Sequence, residues 1–414
     1  MNPGAALLLL AALGCSAATS SARERRQVPP QRAATRAADR FTITEAIIEF
    51  ATDLASLRLR DGNMVMSPFS IVSVLNMLLL GSTDNTYEQL RVVLKYPFEM
   101  DDLLIHQQSG IQLTSLRREA RGINVQIANR IFTDSRFTIQ ERYMRDARDF
   151  YQAGVEQLEF GKQPAVAQRR INQWVGDNTN GKIPRLLDSP PPRNTRMIGA
   201  NVVYFNSSWQ FPFDPSLTRK LRFHPDAQRV TKTTMMFAQL EVPYVNYPSQ
   251  GMKALALPYE GGDYAMYIML PDEAGEKPLA RMERSLAGGR LQRVFEDMQL
   301  VNISVWLPRF KLEHSLALRD ALQAMGATDL FQESRAALNR MSPDRQLFLS
   351  EVLHQAVIDV HEAGTEAAAV TTTLVNRDRN AKEFRVDRPF LFIIRDNKTG
   401  VPLFWGRVVE PEAS

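Results

Sequence analysis

The residues of this 414-residue chain that could perform chemistry are few and do not assemble into a catalytic set. It has five histidines and one cysteine. No Gly-x-Ser-x-Gly elbow, HExxH helix or Walker loop occurs, and no nucleophile can be matched with a base and an orienter. His354 and His361 come nearest to a pair, but in a strand their separation of seven places them on opposite faces, which speaks against a metal. The unusual chemistry lies in the segment that holds them. Val360 to Asn380 reads VHEAGTEAAAVTTTLVNRDRN, too small and β-branched for a surface helix and too polar for a core strand. It could become a strand, yet it has no obvious partner.

The elements that must position this segment can be read from periodicity. Thr42 and Glu45 form a capping box, followed by Ile43, Ile47, Phe50, Leu54 and Leu57 on one helical stripe. In MVMSPFSIVSVLNMLLLG, Ser67 is an N-cap, Pro68 opens the helix and Gly81 stops it, and the body is apolar all round and so must be buried. Residues 103–121 and 140–150 predict surface helices, with IANRIF as a short strand between them. RRINQWVGDNTNGKIPRLL supplies a further helix that stops at Asn180-Gly181. Later the period drops to two, at Met252, Ala254 and Ala256, at Tyr264, Met266, Ile268 and Leu270, and at Ile303, Val305 and Leu307. Helices first and strands later predict an α+β class, and the lack of repeats or long linkers predicts one domain over residues 42–410.

Composition narrows the function. A net charge of +4 over this length is mild and argues against nucleic acid. Residues 5–14, AALLLLAALG, match the apolar core of a secretory signal over residues 1–18, although MNPG before it lacks Lys and Arg. The run is too short to span a bilayer, so no membrane anchoring is expected. Cys15 falls inside it, leaving the secreted chain without disulfides and dependent on a large core. Residues 19–41 are Arg- and Pro-rich, without apolar periodicity, and read as a disordered lead-in. Arg23-Glu24-Arg25-Arg26 has the form of a furin-type site, but a solvated basic tail is the preferred reading.

From about residue 42 to 410 the chain resembles the serpin family of serine protease inhibitors. The resemblance rests on seven segments in the family's order: NMVMSPFSI, GSTDNTYEQL, INQWVGDNTNGKIPRLL, NVVYFNSSWQFPF, LPRFKLEHSLALRDALQAMGATDLF, LFLSEVLHQAVIDVHEAGTEAAA and VDRPFLFIIRDNKTGVPLFWGRV. It implies an α+β fold with three β-sheets, about nine helices and an exposed reactive-centre loop, here residues 360–385. A protease cuts that loop, which then inserts as a new strand into the central sheet. Residues Glu362, Gly364, Thr365, Glu366, Ala367, Ala368 and Ala369 match the hinge, with Ala363 departing from the charged residue usual there. The residues fit that fate: Gly364 permits a bend, Thr365, Ala367, Ala369, Thr371, Thr373 and Val375 alternate onto one face, and no proline interrupts Gly364–Asn376.

The family's spacing puts the scissile carbonyl on Asp378, cut before Arg379. A loop one residue shorter promotes Arg377, and a trypsin-like pocket with its buried carboxylate takes either Arg377 or Arg379, so all three remain candidates. Ser67, Ser70, Asn201 and His354 match a polar shutter beneath the central sheet, and Trp209 matches a packing anchor at its top. Arg117, Arg118 and Arg121 match a helix that binds heparin-like polyanions in some members, but Glu119 interrupts them and a solvated face is the preferred reading. Sequons stand at Asn206, Asn302 and Asn397; the first two fall in strand-like segments where an acceptor is easily occluded, so Asn397, in a turn, is preferred.

The resemblance implies a secreted monomer that needs no cofactor, is not an enzyme and traps an extracellular, trypsin-like serine protease. The competing readings are a non-inhibitory family member acting as a ligand carrier or chaperone, and a hydrolase.

Overall fold

The computed structural model describes residues 42–57, 61–116, 123–364 and 382–411. The expected signal and lead-in, Arg117, Arg118, Arg121 and the loop from Thr365 through Arg377, Asp378 and Arg379 lie outside the described residues. In chain order the elements are α1 (Ile43–Ser56), β1 (Met64–Met66), α2 (Pro68–Gly81), α3 (Asp84–Val93), α4 (Asp102–Leu116), β2 (Ile123–Asp134), α5 (Glu141–Tyr151), β3 (Gly154–Leu158), α6 (Pro164–Asn178) and β4 (Met197–Ser207). Then follow β5 (Arg219–Phe223), β6 (Thr231–Tyr247), β7 (Met252–Pro258), β8 (Tyr264–Pro271), α7 (Glu276–Ser285), α8 (Arg290–Glu296), β9 (Gln299–Pro308), β10 (Phe310–Ala317), α9 (Arg319–Met325), β11 (Glu351–Val360), β12 (Lys382–Arg385), β13 (Phe390–Asp396) and β14 (Pro402–Val408). That makes nine α-helices among the described residues, in an α+β arrangement.

Local signals explain the first elements. Thr42 accepts from the Glu45 amide, and the Glu45 carboxylate accepts from the Thr42 amide at 3.0 Å. Ser67 caps α2 by accepting from the Ser70 amide, Pro68 starts the helix, and every residue from Pro68 to Leu79 is buried. Such a helix belongs in the middle of the molecule. It packs so closely beneath β4 that a Cβ on Gly199 would stand 3.0 Å from Val74.

The strands form two sheets rather than the expected three among the described residues. One has nine strands in the order β1-β14-β13-β8-β7-β6-β9-β12, with β5 also on β6. The physical reason is β6, a strand of 17 residues. Its Met235–Tyr244 part pairs with β9, and its last four residues pair with β7, so two groups of strands that would be separate sheets share one continuous ladder.

The other sheet has the order β10-β11-β4-β2-β3. Helix α6 covers one of its faces, burying Ile171, Trp174 and Val175 with Phe132, Ala200, Val202 and Val357. At the centre of this sheet β11 and β4 run parallel, with Glu351 opposite Ile198 through Val357 opposite Tyr204.

Candidate functional site

Two polar clusters tie β4 and β11 to their surroundings. The first lies beneath the sheet. His354 stands opposite Asn201 across the β11–β4 ladder, and Asn129 stands opposite Asn201 across the β2–β4 ladder. The Ser67 amide donates to His354 Nε2 at 3.0 Å, which leaves Nδ1 to carry the proton and donate to Asn201 Oδ1. Asn201 Nδ2 in turn donates to Asn129 Oδ1 at 2.5 Å, while the Ser67 hydroxyl donates to that of Ser70 at 3.0 Å.

This polar chain therefore stitches three strands to the start of α2, with Ser67, Ser70, Asn201 and His354 fully buried. Burial lowers the His354 pKa to about 3, so the ring is neutral. The structure brings together the four residues expected at the shutter and adds Asn129. Its signal was in IANRIF: a lone amide between Ile127 and Ile131 on one face of a strand.

The second cluster closes the top of the sheet. The β11–β4 ladder stops at Val357 and Tyr204, three residues short of the end of each strand. Beyond it the chain makes a tight turn in which the amides of His361 and Gly364 donate to each other's carbonyls at 2.9 and 3.1 Å. Gly364 has φ +139°, and a Cβ there would fall 2.2 Å from the Ser207 carbonyl and 2.6 Å from Ser208 Cα. Only glycine lets the turn lie this close to the end of β4. His361 belongs to this turn, beyond the last residue of β11, so the expectation that it and His354 face opposite sides of one strand does not hold.

The turn is clamped from several sides. Trp209 donates its amide to Ala363 at 3.1 Å and its indole Nε1–H to the His361 carbonyl at 2.9 Å. Its ring stacks on Tyr259 with centroids 4.5 Å apart. Trp209 thus both packs on Tyr259 and hydrogen-bonds the turn. The Glu362 carboxylate accepts from Arg309 Nη2 at 2.5 Å, Arg309 Nε at 2.8 Å and the Thr218 hydroxyl at 2.6 Å. Burial pushes the Glu362 pKa up, but these hydrogen bonds and the Arg309 charge outweigh it, and the pKa lies below its ordinary value. Arg309, Thr218 and Tyr259 join the site only through tertiary contact, and no local pattern in the sequence marks them.

The three sequons differ in setting. Asn397 is exposed in a turn, its side chain donating to the Gly262 carbonyl at 3.0 Å and accepting from the Tyr267 hydroxyl at 2.9 Å. Asn302 points out of β9 into solvent, because its strand is covered on one face only, and Asn206 is half-buried in β4.

Among the described residues no three His, Cys, Asp or Glu side chains gather as a metal site, and no helix is long and apolar enough to cross a membrane.

Comparison with known proteins agrees with this geometry. Residues 45–411 match the family model described as Serpin (serine protease inhibitor). The chain is 32% identical to human Serpin B3, over 89% of this chain and all of that protein. It is also 32% identical to the horse leukocyte elastase inhibitor, over 89% of this chain and 99% of the other. The structure of uncleaved ovalbumin superposes with a TM-score of 0.81 at 28% identity, covering 90% of this chain and all of that one.

Proposed function

Because the chain belongs to the serpin family, whose members include protease inhibitors, we propose that it is a secreted suicide inhibitor of a trypsin-like serine protease. The observation that carries this reading is the direction of the strands around the hinge. β11 and β4 are parallel neighbours, and the chain turns back at His361–Gly364. Residues following Gly364, if inserted between them, would therefore run antiparallel to both and replace one parallel interface with two antiparallel ones, which are the more stable pairing.

The alternation of small and β-branched residues from Thr365 to Val375 suits such a strand. Each added hydrogen bond contributes about 1 kcal/mol net, so about a dozen residues release on the order of 10 kcal/mol, comparable with the stability of an ordinary domain. The uncut protein stores that difference.

In the proposed reaction the protease serine attacks the carbonyl of Arg377, Asp378 or Arg379. Its Oγ–C bond forms, the C–N bond breaks, and the new amine leaves protonated by the protease histidine. The loop then inserts, drawing the acyl-enzyme with it and distorting the triad before water can deacylate it. The inhibitor supplies the substrate carbonyl and the driving force but no catalytic group. Secretion is supported by the apolar run at residues 5–14.

The test is to mix the protein expressed from cultured cells with trypsin. The expected result is its recovery from the medium without residues 1–18, and a detergent- and heat-stable complex with the protease. The N-terminus of the released peptide, Asp378, Arg379 or Asn380, then identifies the bait residue. Cleavage with neither complex nor a rise in melting temperature would overturn the inhibitory reading in favour of a carrier.

A further inference from the structure

The nine-stranded sheet carries a cationic edge that the inhibitory mechanism does not use. Strand β5 reads Arg219-Lys220-Leu221-Arg222-Phe223, and Arg219, Lys220 and Arg222 are all exposed. In the antiparallel pairing with β6, Lys220 stands opposite Thr234 and Arg222 opposite Lys232, which is exposed as well. Like charges directly opposite each other in a sheet are destabilising, so Arg222 and Lys232 are not there for the fold. None of the four cations makes an ion pair among the described residues. Glu410, which lines the same surface depression as Lys232, is taken by Arg229 at 3.0 Å. A charged edge strand also guards against edge-to-edge aggregation, but that purpose is met without opposing two cations across a ladder.

The position of this edge gives it a use. Thr218, the residue before β5, is bonded to Glu362 at the hinge, so β5 starts where the chain leaves the described residues at Gly364. The chain returns at Lys382 in β12, on the far side of the same run of strands, β5-β6-β9-β12. A protease that engages the chain between those two points would meet this run of strands, with β5 beside it.

We propose that β5, with Lys232 of β6, is a second docking surface that takes an acidic face of the target protease and speeds its encounter with the loop. The proposal rests on the inhibitory reading above and narrows its target to proteases with an anionic surface near the active site. Exposed charges of this kind act on association rate and its salt dependence rather than on the final complex.

The experiment compares anionic and cationic isoforms of trypsin, which share one specificity pocket. Inhibition rates are measured for the wild type, for Lys220→Glu with Arg222→Glu, for the milder Lys220→Gln with Arg222→Gln in case the reversal unfolds β5, and for Arg169→Glu, exposed on α6 against the other sheet, as a distant charge control. The expected result for the reversal is about a tenfold slower inhibition of anionic trypsin at low salt, with a flatter salt dependence. Cationic trypsin is inhibited at an unchanged or higher rate, and complex yield stays constant. Equal effects on both isoforms, no effect, or the same effect from Arg169→Glu would overturn the proposal. So would a loss of heparin affinity with unchanged rates, which would make the edge a polyanion site, or increased aggregation alone, which would make it an edge guard. If the wild type traps neither isoform, the inhibitory reading itself has failed.

Discussion

Two clusters hold the central sheet shut, and they are built from opposite materials. Beneath the sheet, Ser67, His354, Asn201 and Asn129 form a chain of neutral groups that water does not reach. At the top, Glu362 and Arg309 are fully charged, and about a third of the Arg309 side chain (34%) remains exposed. Neutral hydrogen bonds are inexpensive to bury, but each broken one leaves an orphan in an apolar space. A partly exposed ion pair is strong while closed, yet water can take over its partners as it opens. On the proposed mechanism, opening therefore begins at the top, and the buried chain sets most of its cost.

The sharpest way to break this contrast is to remove the imidazole. His354→Ala leaves the Ser67 amide and Asn201 Oδ1 unpartnered, at about 1–3 kcal/mol each, so the uncut protein should lose about 3 kcal/mol or more in urea unfolding. Acid should act through the same ring. The folded pKa is lowered to about 3, against about 6.5 in the unfolded chain. Above the unfolded value neither state binds the proton and the full stability is present. As pH falls below it, the unfolded chain takes a proton that the folded one refuses, and stability drops by about 1.4 kcal/mol per pH unit until the folded pKa is reached. His354→Gln removes this component, so its stability should fall less steeply than the wild type's between about pH 6 and pH 3.5. Parallel curves would mean that the ring is not the titrating group.

The clamp at the top should respond more weakly and in a different window. Glu362→Gln leaves Arg309 without its counter-charge; given the exposure of the guanidinium, a cost of about 1–2 kcal/mol is expected. Because the Glu362 pKa is lowered on folding, its contribution is complete above the unfolded value of about 4.3 and is lost as pH falls through the folded value. The readout is the half-life of inhibitory capacity during incubation of the uncut protein. It should shorten in Glu362→Gln at pH 7, and the gap between variant and wild type should close in acid. A gap that persists well below pH 4 would show that Glu362 contributes through shape rather than charge.

The same contrast explains what could be read from the sequence. The cap at Thr42, the buried helix α2 and the alternation of Ile303, Val305 and Leu307 in β9 rest on neighbours in the chain, and they stand where periodicity put them. Strand β8 shows alternation in its sequence, yet every residue from Tyr264 to Pro271 is buried, because both of its faces are covered. IANRIF predicted a short strand, but β2 runs for 12 residues. Its polar members, Gln126 and Arg130 among them, hide the period, and Arg130 is held by Glu156 of β3, which no local pattern announces. Shutter and hinge were legible only as resemblance. Which groups bond there depends on contacts such as Arg309 with Glu362, 53 residues apart, and His354 with Asn201, 153 apart.

The smallest effect should come from the far end of the buried chain, and it tests whether that chain is one unit. Asn129→Ala deprives Asn201 Nδ2 of its acceptor. Yet Asn129 Nδ2 is itself buried without a partner, so the substitution also removes an orphan. The two effects offset, and a net loss of about 1 kcal/mol or less is expected. The informative quantity is the coupling with His354→Gln, measured by urea unfolding of the two single variants and the double. Groups in one network couple by about 0.5 kcal/mol or more, whereas independent sites add. Additive losses would mean that Asn201 serves its two neighbours separately. A coupled loss would mean that the β11–β4 and β2–β4 ladders open together, so that parting the sheet on one side loosens the other.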